Sequence, residues 1–152
     1  MKELTADIWN YYNSGYTIAI PTNGTVNVKG QLVMGRGLAA QAKGVRYDLP
    51  MILGLLVGTH LYGNHVHHIS CRRIFTFPVK HNWWELADIN LIQRSAEELL
   101  GKVEKYRDEL KEDGVLIPRV GCGAGKLQWE VVRPVLEAVF GDERVTVIYN
   151  GV

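Results

Sequence analysis

Val115-Leu116-Ile117-Pro118-Arg119-Val120-Gly121-Cys122-Gly123-Ala124-Gly125 is the stretch that decides how this chain reads. Its first three residues are apolar and make a short strand buried on both sides. Residues 118–126 form a glycine-rich loop, and Trp129–Phe140 reads as a helix stopped by Gly141. Strand, glycine loop and helix in that order build an anion site. Glycines let backbone N–H groups come close to a phosphate, and the helix N-terminus adds partial positive charge.

The same arrangement occurs upstream. Residues 16–20 are a β-rich run ending at Pro21, residues 22–37 are rich in glycine, and residues 38–43 read as a short helix. The key segments are Ile18-Ala19-Ile20-Pro21-Thr22-Asn23-Gly24 and Met34-Gly35-Arg36-Gly37-Leu38. Neither loop is a Walker A motif or a GxGxxG fingerprint. Ligands of open α/β sheets sit outside the carboxyl ends of the strands, so two such loops point to a diphosphate held between them. For either loop alone, glycines that merely make tight turns are an equal reading.

Working outward, Asp48 and Pro50 open a second helix running to about Val57. Residues 64–69 and 72–77 read as strands, the second closed by Pro78, and residues 79–84 as a loop. Apolar residues three or four apart (Ile89, Ile92, Ala96, Leu99, Val103, Tyr106, Leu110) predict one long helix over 88–112, ended by Gly114. A final strand covers Val145–Tyr149. Alternating strands and helices predict a three-layer α/β/α domain with a mixed sheet, spanning residues 1–152 as one unit.

Composition narrows the function. A formal net charge of +1 excludes a strongly basic nucleic-acid-coating protein, though not recognition of a nucleic acid carrying a small group. Cys71 and Cys122 form no CxxC pair, so neither a zinc site nor a redox motif is expected, and a reducing cytoplasm is. The first residues contain no signal-like apolar segment, and the longest apolar run is broken by Pro50 and Gly54. No membrane partner, no metal and no cofactor are expected.

Met34-Gly35-Arg36-Gly37-Leu38-Ala39, with Lys43 following, resembles the first loop and helix of macrodomains. The likeness is greatest to the branch of the terminal ADP-ribose glycohydrolase and the bacterial antitoxins that strip ADP-ribose from DNA. Pro118-Arg119-Val120-Gly121-Cys122-Gly123 and Leu127-Gln128-Trp129-Glu130 are similar to that branch's second loop and helix. Phe77-Pro78-Val79-Lys80, Trp83 and Leu91 resemble the antitoxins' middle segment, and Ala6-Asp7-Ile8 the N-terminal adenine-reading pair.

The resemblance implies the following roles. Asp7 accepts the adenine amino group, and Ile8 helps recognise the ring. Thr22 lies beside the ligand, and Asn23 contacts the distal ribose, with a part in catalysis if it holds a water. Met34, Gly35, Arg36, Gly37 and Leu38 line the first phosphate loop. Val120, Gly121, Cys122, Gly123, Ala124 and Gly125 form the second. Tyr149 and Asn150 pack the adenosine. In this branch a lysine just after the first-loop helix acts at the distal ribose carbon. Lys43 takes that role, lying about two turns after Arg36 on nearly the same helix face; the plain alternative is a solvated surface lysine.

The chain departs from the branch in two places. Ala42-Lys43-Gly44 stands where two or three lysines after a phenylalanine are common. Gly125 stands where the human-type enzymes carry an aspartate, as in the DNA-directed antitoxins, which leaves a lysine-centred mechanism or none.

Other candidates carry less. His65 and His67 share a strand face with no third metal ligand, so they read, with His68, as strand surface. Trp83 and Trp84 could cap a ligand, anchor the core or plug a loop. Trp129 reads as core, and Cys122 as structural. Charges such as Glu97, Glu98, Lys102, Glu104 and Lys105 form a solvated helix face. Three functions remain open: a hydrolase removing ADP-ribose from nucleic acid or protein, a phosphatase of ADP-ribose 1″-phosphate, and a non-catalytic reader or sponge of ADP-ribose or a related nucleotide signal.

Overall fold

The computed structural model describes residues 1–58, 62–142 and 144–151. Six strands form one sheet in the order β1-β6-β5-β2-β4-β3. They are β1 (Lys2–Thr5), β2 (Thr17–Thr22), β3 (His68–Ile69), β4 (Ile74–Pro78), β5 (Val115–Ile117) and β6 (Val145–Tyr149). Every neighbouring pair is parallel except β3 and β4. Among the described residues five helices cover the sheet: α1 (Ile8–Asn13), α2 (Gly37–Val45), α3 (Leu49–Val57), α4 (Ile89–Lys105) and α5 (Trp129–Phe140). This is the mixed-sheet, three-layer α/β/α architecture expected from the sequence.

The period-two alternation of the strands divides the core between the two faces. Ala19, Phe75, Phe77, Val115, Ile117, Val145 and Val147 pack with Ala96, Leu99 and Val103 of α4 and Val132, Leu136 and Phe140 of α5. Ile18, Ile20, Ile74, Leu116 and Ile148 pack on the other face with residues of α1, α2 and α3. The loops after β2 and β5, two adjacent strands, thus lead to helices on opposite faces. A crevice opens between such loops, at the carboxyl ends of the strands.

Several elements differ from expectation. β2 continues through Pro21. Thr22 O accepts from Val79 N at 2.9 Å, so Thr22 faces β4 and Pro21 faces the other side. There β5 pairs only with Thr17 and Ile18, so the missing proline N–H costs no ladder bond. Of residues 64–69, only His68 and Ile69 form a strand. The helix over 88–112 ends at Lys105 because Tyr106 leaves the helical conformation, its ring 4.4 Å from that of His68, and a 3-10 turn at Arg107–Glu109 follows. Gly114, at φ 73°, instead makes the tight entry into β5 against the Arg144 carbonyl. β1 and α1 carry no strong sequence signal: β1 is an exposed edge strand, and α1 has six residues. No described helix is long and apolar enough to cross a membrane.

Candidate functional site

A cleft of about 1000 Å³ runs across the carboxyl ends of the parallel strands. Asp7, Ile8, Thr22, Asn23, Met34, Gly35, Arg36, Gly37, Leu38, Gly121, Cys122, Gly123, Ala124, Gly125, Tyr149 and Asn150 all line it. The sheet order sets out its length. Asp7 follows β1, Tyr149 ends β6, the second loop follows β5, the first follows β2, and Lys80 follows β4. From β6 to β4 is three strand spacings, about 14 Å.

The two helices that follow the glycine loops have no side-chain cap. Arg36 at the start of α2 and Gln128 at the start of α5 make no capping hydrogen bond. By contrast, Asp7 caps α1 through Trp9 N, and Asp88 caps α4 through Asn90 N. Uncapped N–H groups facing a cleft are free to bind an anion. The glycines divide into two kinds. A Cβ at Gly35 or Gly123 would meet nothing within 4 Å, so these positions keep the cleft open. A Cβ at Gly125 would lie 2.6 Å from Gly121 O and 2.7 Å from Ala87 Cβ, and Gly121 combines φ +77° with Ile92 Cδ1 at 2.7 Å. Those two close the loop on the core, and no carboxylate side chain fits at Gly125.

Two expected site residues lie elsewhere. Val120 is fully buried in the core beneath the loop. Lys43 is exposed in the last turn of α2 and borders a separate, shallower recess of about 340 Å³ with Asn27, Gln31 and Tyr47, behind the first loop. Arg36 is the extended residue before α2, with φ −140° and ψ 155°, so it does not share a helix face with Lys43. Asn23 lines the cleft, but its amide staples the first loop: Nδ2 donates to Val33 O at 3.0 Å, and Oδ1 accepts from Thr25 N at 2.9 Å.

Lys80 occupies the β4 end of the cleft. It is 8% exposed, which is rare for lysine. Its Nζ donates to Trp83 O at 3.3 Å. Burial, then the positive charges of Arg36 and Lys126, pull its pKa below the ordinary lysine value. The backbone beneath it is pinned: Ser95 Oγ donates to Pro78 O at 2.6 Å and Asp88 N to Val79 O at 2.9 Å. The signal for it was in the sequence, a lysine just past the strand run Ile74–Pro78.

Arg119 also lines the cleft. Its guanidinium lies 3.7 Å from the Tyr149 ring centroid and 5.2 Å from that of Trp129, whose Nε1 donates to Glu3 Oε1 at 3.2 Å. Buried polar atoms nearly always find partners. Among the described residues, Thr22 Oγ1, Arg119 Nε, Asn64 Oδ1 and Arg94 Nε have no hydrogen bond, and the first two belong to residues of the cleft wall. Burial raises the pKa of Cys122, which outweighs the opposing pull of Arg119 and keeps a neutral thiol in the loop. Trp83 lines the cleft, and Trp84 stands exposed beside it, their rings edge to face at 6.1 Å. The three histidines diverge. His65 pairs with Glu98 at 2.8 Å, His67 Nε2 meets Gly63 O at 2.8 Å, and His68 stacks on Phe75 at 4.2 Å.

This architecture is shared with solved structures of low sequence identity. The Thermosipho africanus DarTG in complex with ADP-ribose matches at a TM-score of 0.76 and 18% identity, over 97% of this chain and 40% of that one. The present chain thus spans well under half of that protein's length. The macrodomain of Mycobacterium tuberculosis DarG matches at 0.74 and 18%, and that of Thermus aquaticus DarG at 0.66 and 19%, each over 97% of this chain and 96% of its own. No protein-family model and no curated protein matches the sequence. The fold is that of the macrodomains.

Proposed function

We propose that this chain binds ADP-ribose along the cleft and hydrolyses ADP-ribosyl linkages, with Lys80 acting at the distal ribose. The observation that carries this reading is the order of groups along the sheet. An adenosine fits at β1 and β6 beside Asp7, Ile8 and Tyr149. A diphosphate fits between the open glycines Gly35 and Gly123 and the uncapped starts of α2 and α5. The distal ribose then falls at β4, where Lys80 waits about 14 Å from β6. One solved structure of this fold is a complex with ADP-ribose.

Burial lowers the Lys80 pKa, so its amine loses a proton more readily, and the neutral amine is a nucleophile. The amine nitrogen bonds to the anomeric carbon of the distal ribose as the bond to the acceptor breaks. The departing acceptor takes the proton that the nitrogen loses. Water then replaces the amine at that carbon, which releases ADP-ribose and restores Lys80. Diphosphate oxygens held by the loops stabilise the positive charge that develops on the sugar. The absence of room for a carboxylate at Gly125 supports a lysine-centred route. A phosphatase depending on a water held by Asn23 is less well supported, because both ends of that amide are engaged. Trp83 and Trp84 at the Lys80 end favour a planar acceptor such as a nucleobase over a protein side chain. The free thiols of Cys71 and Cys122 suit a cytoplasmic enzyme.

The test is incubation with ADP-ribosylated single-stranded DNA, ADP-ribosylated protein and ADP-ribose 1″-phosphate. Release of ADP-ribose by the wild type but not by Lys80→Ala, which should still bind ADP-ribose, is the expected result. Binding with no turnover of any substrate would leave a reader. Phosphate release that survives Lys80→Ala would mean a phosphatase.

A further inference from the structure

Behind Lys80 lies a polar cluster that the cleft itself does not use. Asn64 Nδ2 is 3.0 Å from Lys80 O. A carbonyl only accepts, so the atom facing it is the amide nitrogen. The same amide lies under the first loop: a Cβ on Gly24 would be 3.1 Å from Asn64 Nδ2 and 2.7 Å from His81 O, and Gly24 N donates to that His81 carbonyl at 3.0 Å. Only glycine permits this approach, so Asn64 touches both the Lys80 turn and the first loop. Asn64 is held in turn. Arg94 of α4 donates to Asn64 O, and Arg94 Nε lies 3.5 Å from Glu98 Oε2. Glu98 Oε1 accepts from Val66 N at 2.9 Å, and its other oxygen meets His65. On the far side, Trp83 N donates to Thr25 Oγ1 at 3.1 Å. Lys80 thus sits in a turn clamped from two directions.

Two of the buried atoms without a hydrogen bond, Asn64 Oδ1 and Arg94 Nε, belong to this clamp, the second ion-paired with Glu98. Burying polar atoms without a hydrogen bond costs stability. An apolar pair would fill the same space without that cost. What Asn64 supplies, held by Arg94, is a donor aimed at Lys80 O.

We infer that Asn64 is a positioning residue, whose amide, backed by Arg94 and Glu98, fixes the Lys80 backbone so that the amine stays withdrawn from water at the end of the cleft. This rests on the hydrolase reading for its consequence in turnover, but not for its consequence in the amine itself. Without the donor, the turn at 80–83 relaxes outward and Lys80 gains solvent. The charged groups acting on the amine, Arg36 at the start of α2 and Lys126 in the second loop, are untouched by the change.

The experiment uses Asn64→Ala in the full chain, with lysines dimethylated by ¹³C-formaldehyde and Lys80 assigned through Lys80→Arg. NMR titration should show the wild-type Lys80 signal titrating below the other lysines. In Asn64→Ala its midpoint should move towards theirs. ADP-ribose affinity should stay within threefold, while turnover falls at least tenfold. If Asn64→Ala does not fold, Asn64→Asp keeps the shape without the donor, and the same split between affinity and turnover is read. An unchanged Lys80 midpoint with unchanged turnover overturns the inference. So does a parallel loss of affinity, turnover and melting temperature, which would make Asn64 a fold residue only. If the wild type hydrolyses nothing, the hydrolase reading fails, and the Lys80 midpoint alone decides whether Asn64 positions it.

Discussion

The glycines of the second loop allow binding and folding to be separated by two substitutions two residues apart. A side chain at Gly123 meets open cleft, whereas one at Gly125 meets Gly121 O at 2.6 Å and Ala87 Cβ at 2.7 Å. Gly123→Glu should therefore fold normally and place a carboxylate in the proposed diphosphate site. Two like charges about 5 Å apart at an effective dielectric of 20 repel by about 3 kcal/mol. That corresponds to a loss of affinity of about two hundredfold, before the steric loss of volume. Gly125→Ala overpacks a closed contact, which costs about 1–3 kcal/mol. For a chain of this size that lowers Tm by roughly 2–12 °C. Calorimetric titration with ADP-ribose and a thermal melt on each variant read the two effects. If Gly123→Glu binds ADP-ribose as the wild type does, the diphosphate does not lie in this loop. If Gly125→Ala melts with the wild type, the close packing described here is wrong.

Other outcomes follow from the same geometry. Turnover should rise with pH through a Lys80 midpoint below the ordinary lysine value, because only the neutral amine attacks; Lys43→Ala should reproduce this profile, and a Lys43→Ala enzyme that binds but does not turn over would return the role to Lys43. Arg119→Ala removes a cation held over Tyr149 and should weaken ADP-ribose binding about tenfold, consistent with cation–π and charge terms of ~1–2 kcal/mol, read by calorimetry. Asp88 caps α4, and its His81 partner, with the Asn90 N–H, holds its carboxyl below the usual range. Its contribution is therefore present at neutral pH and lost as pH falls through that lowered value. Asp88→Ala should cost about 1 kcal/mol at pH 7, with the gap in Tm closing in acid.

Much of the fold was legible because its signals are local. Apolar runs at 18–20 and 115–117, proline at 50 and the 3.6-residue period of α4 each report on their own segment. β1 and α1 were not, since Lys2–Thr5 is polar and becomes a strand only by pairing with β6. Most of the cleft wall was readable because glycine loops announce themselves in sequence. The lysine proposed here to act was not, because Lys43 and Lys80 are equivalent as letters. What separates them is sheet order: β4 lies beside β2, which brings residue 80 to the cleft, while the extended Arg36 starts α2 in a phase that turns Lys43 away. Asn64 and Arg94 carry no motif at all, and their meeting depends on the edge segment before β3 folding back over α4.

Whether the cleft takes ADP-ribose along its whole length is decided by calorimetric titration of the wild-type chain with ADP-ribose, ADP and AMP. One site per chain is expected, with affinity rising from AMP to ADP as the diphosphate engages Gly35 and Gly123. A further gain is expected from ADP to ADP-ribose as the distal ribose reaches the Lys80 end. No heat, together with a Tm unmoved by millimolar ADP-ribose, would contradict it.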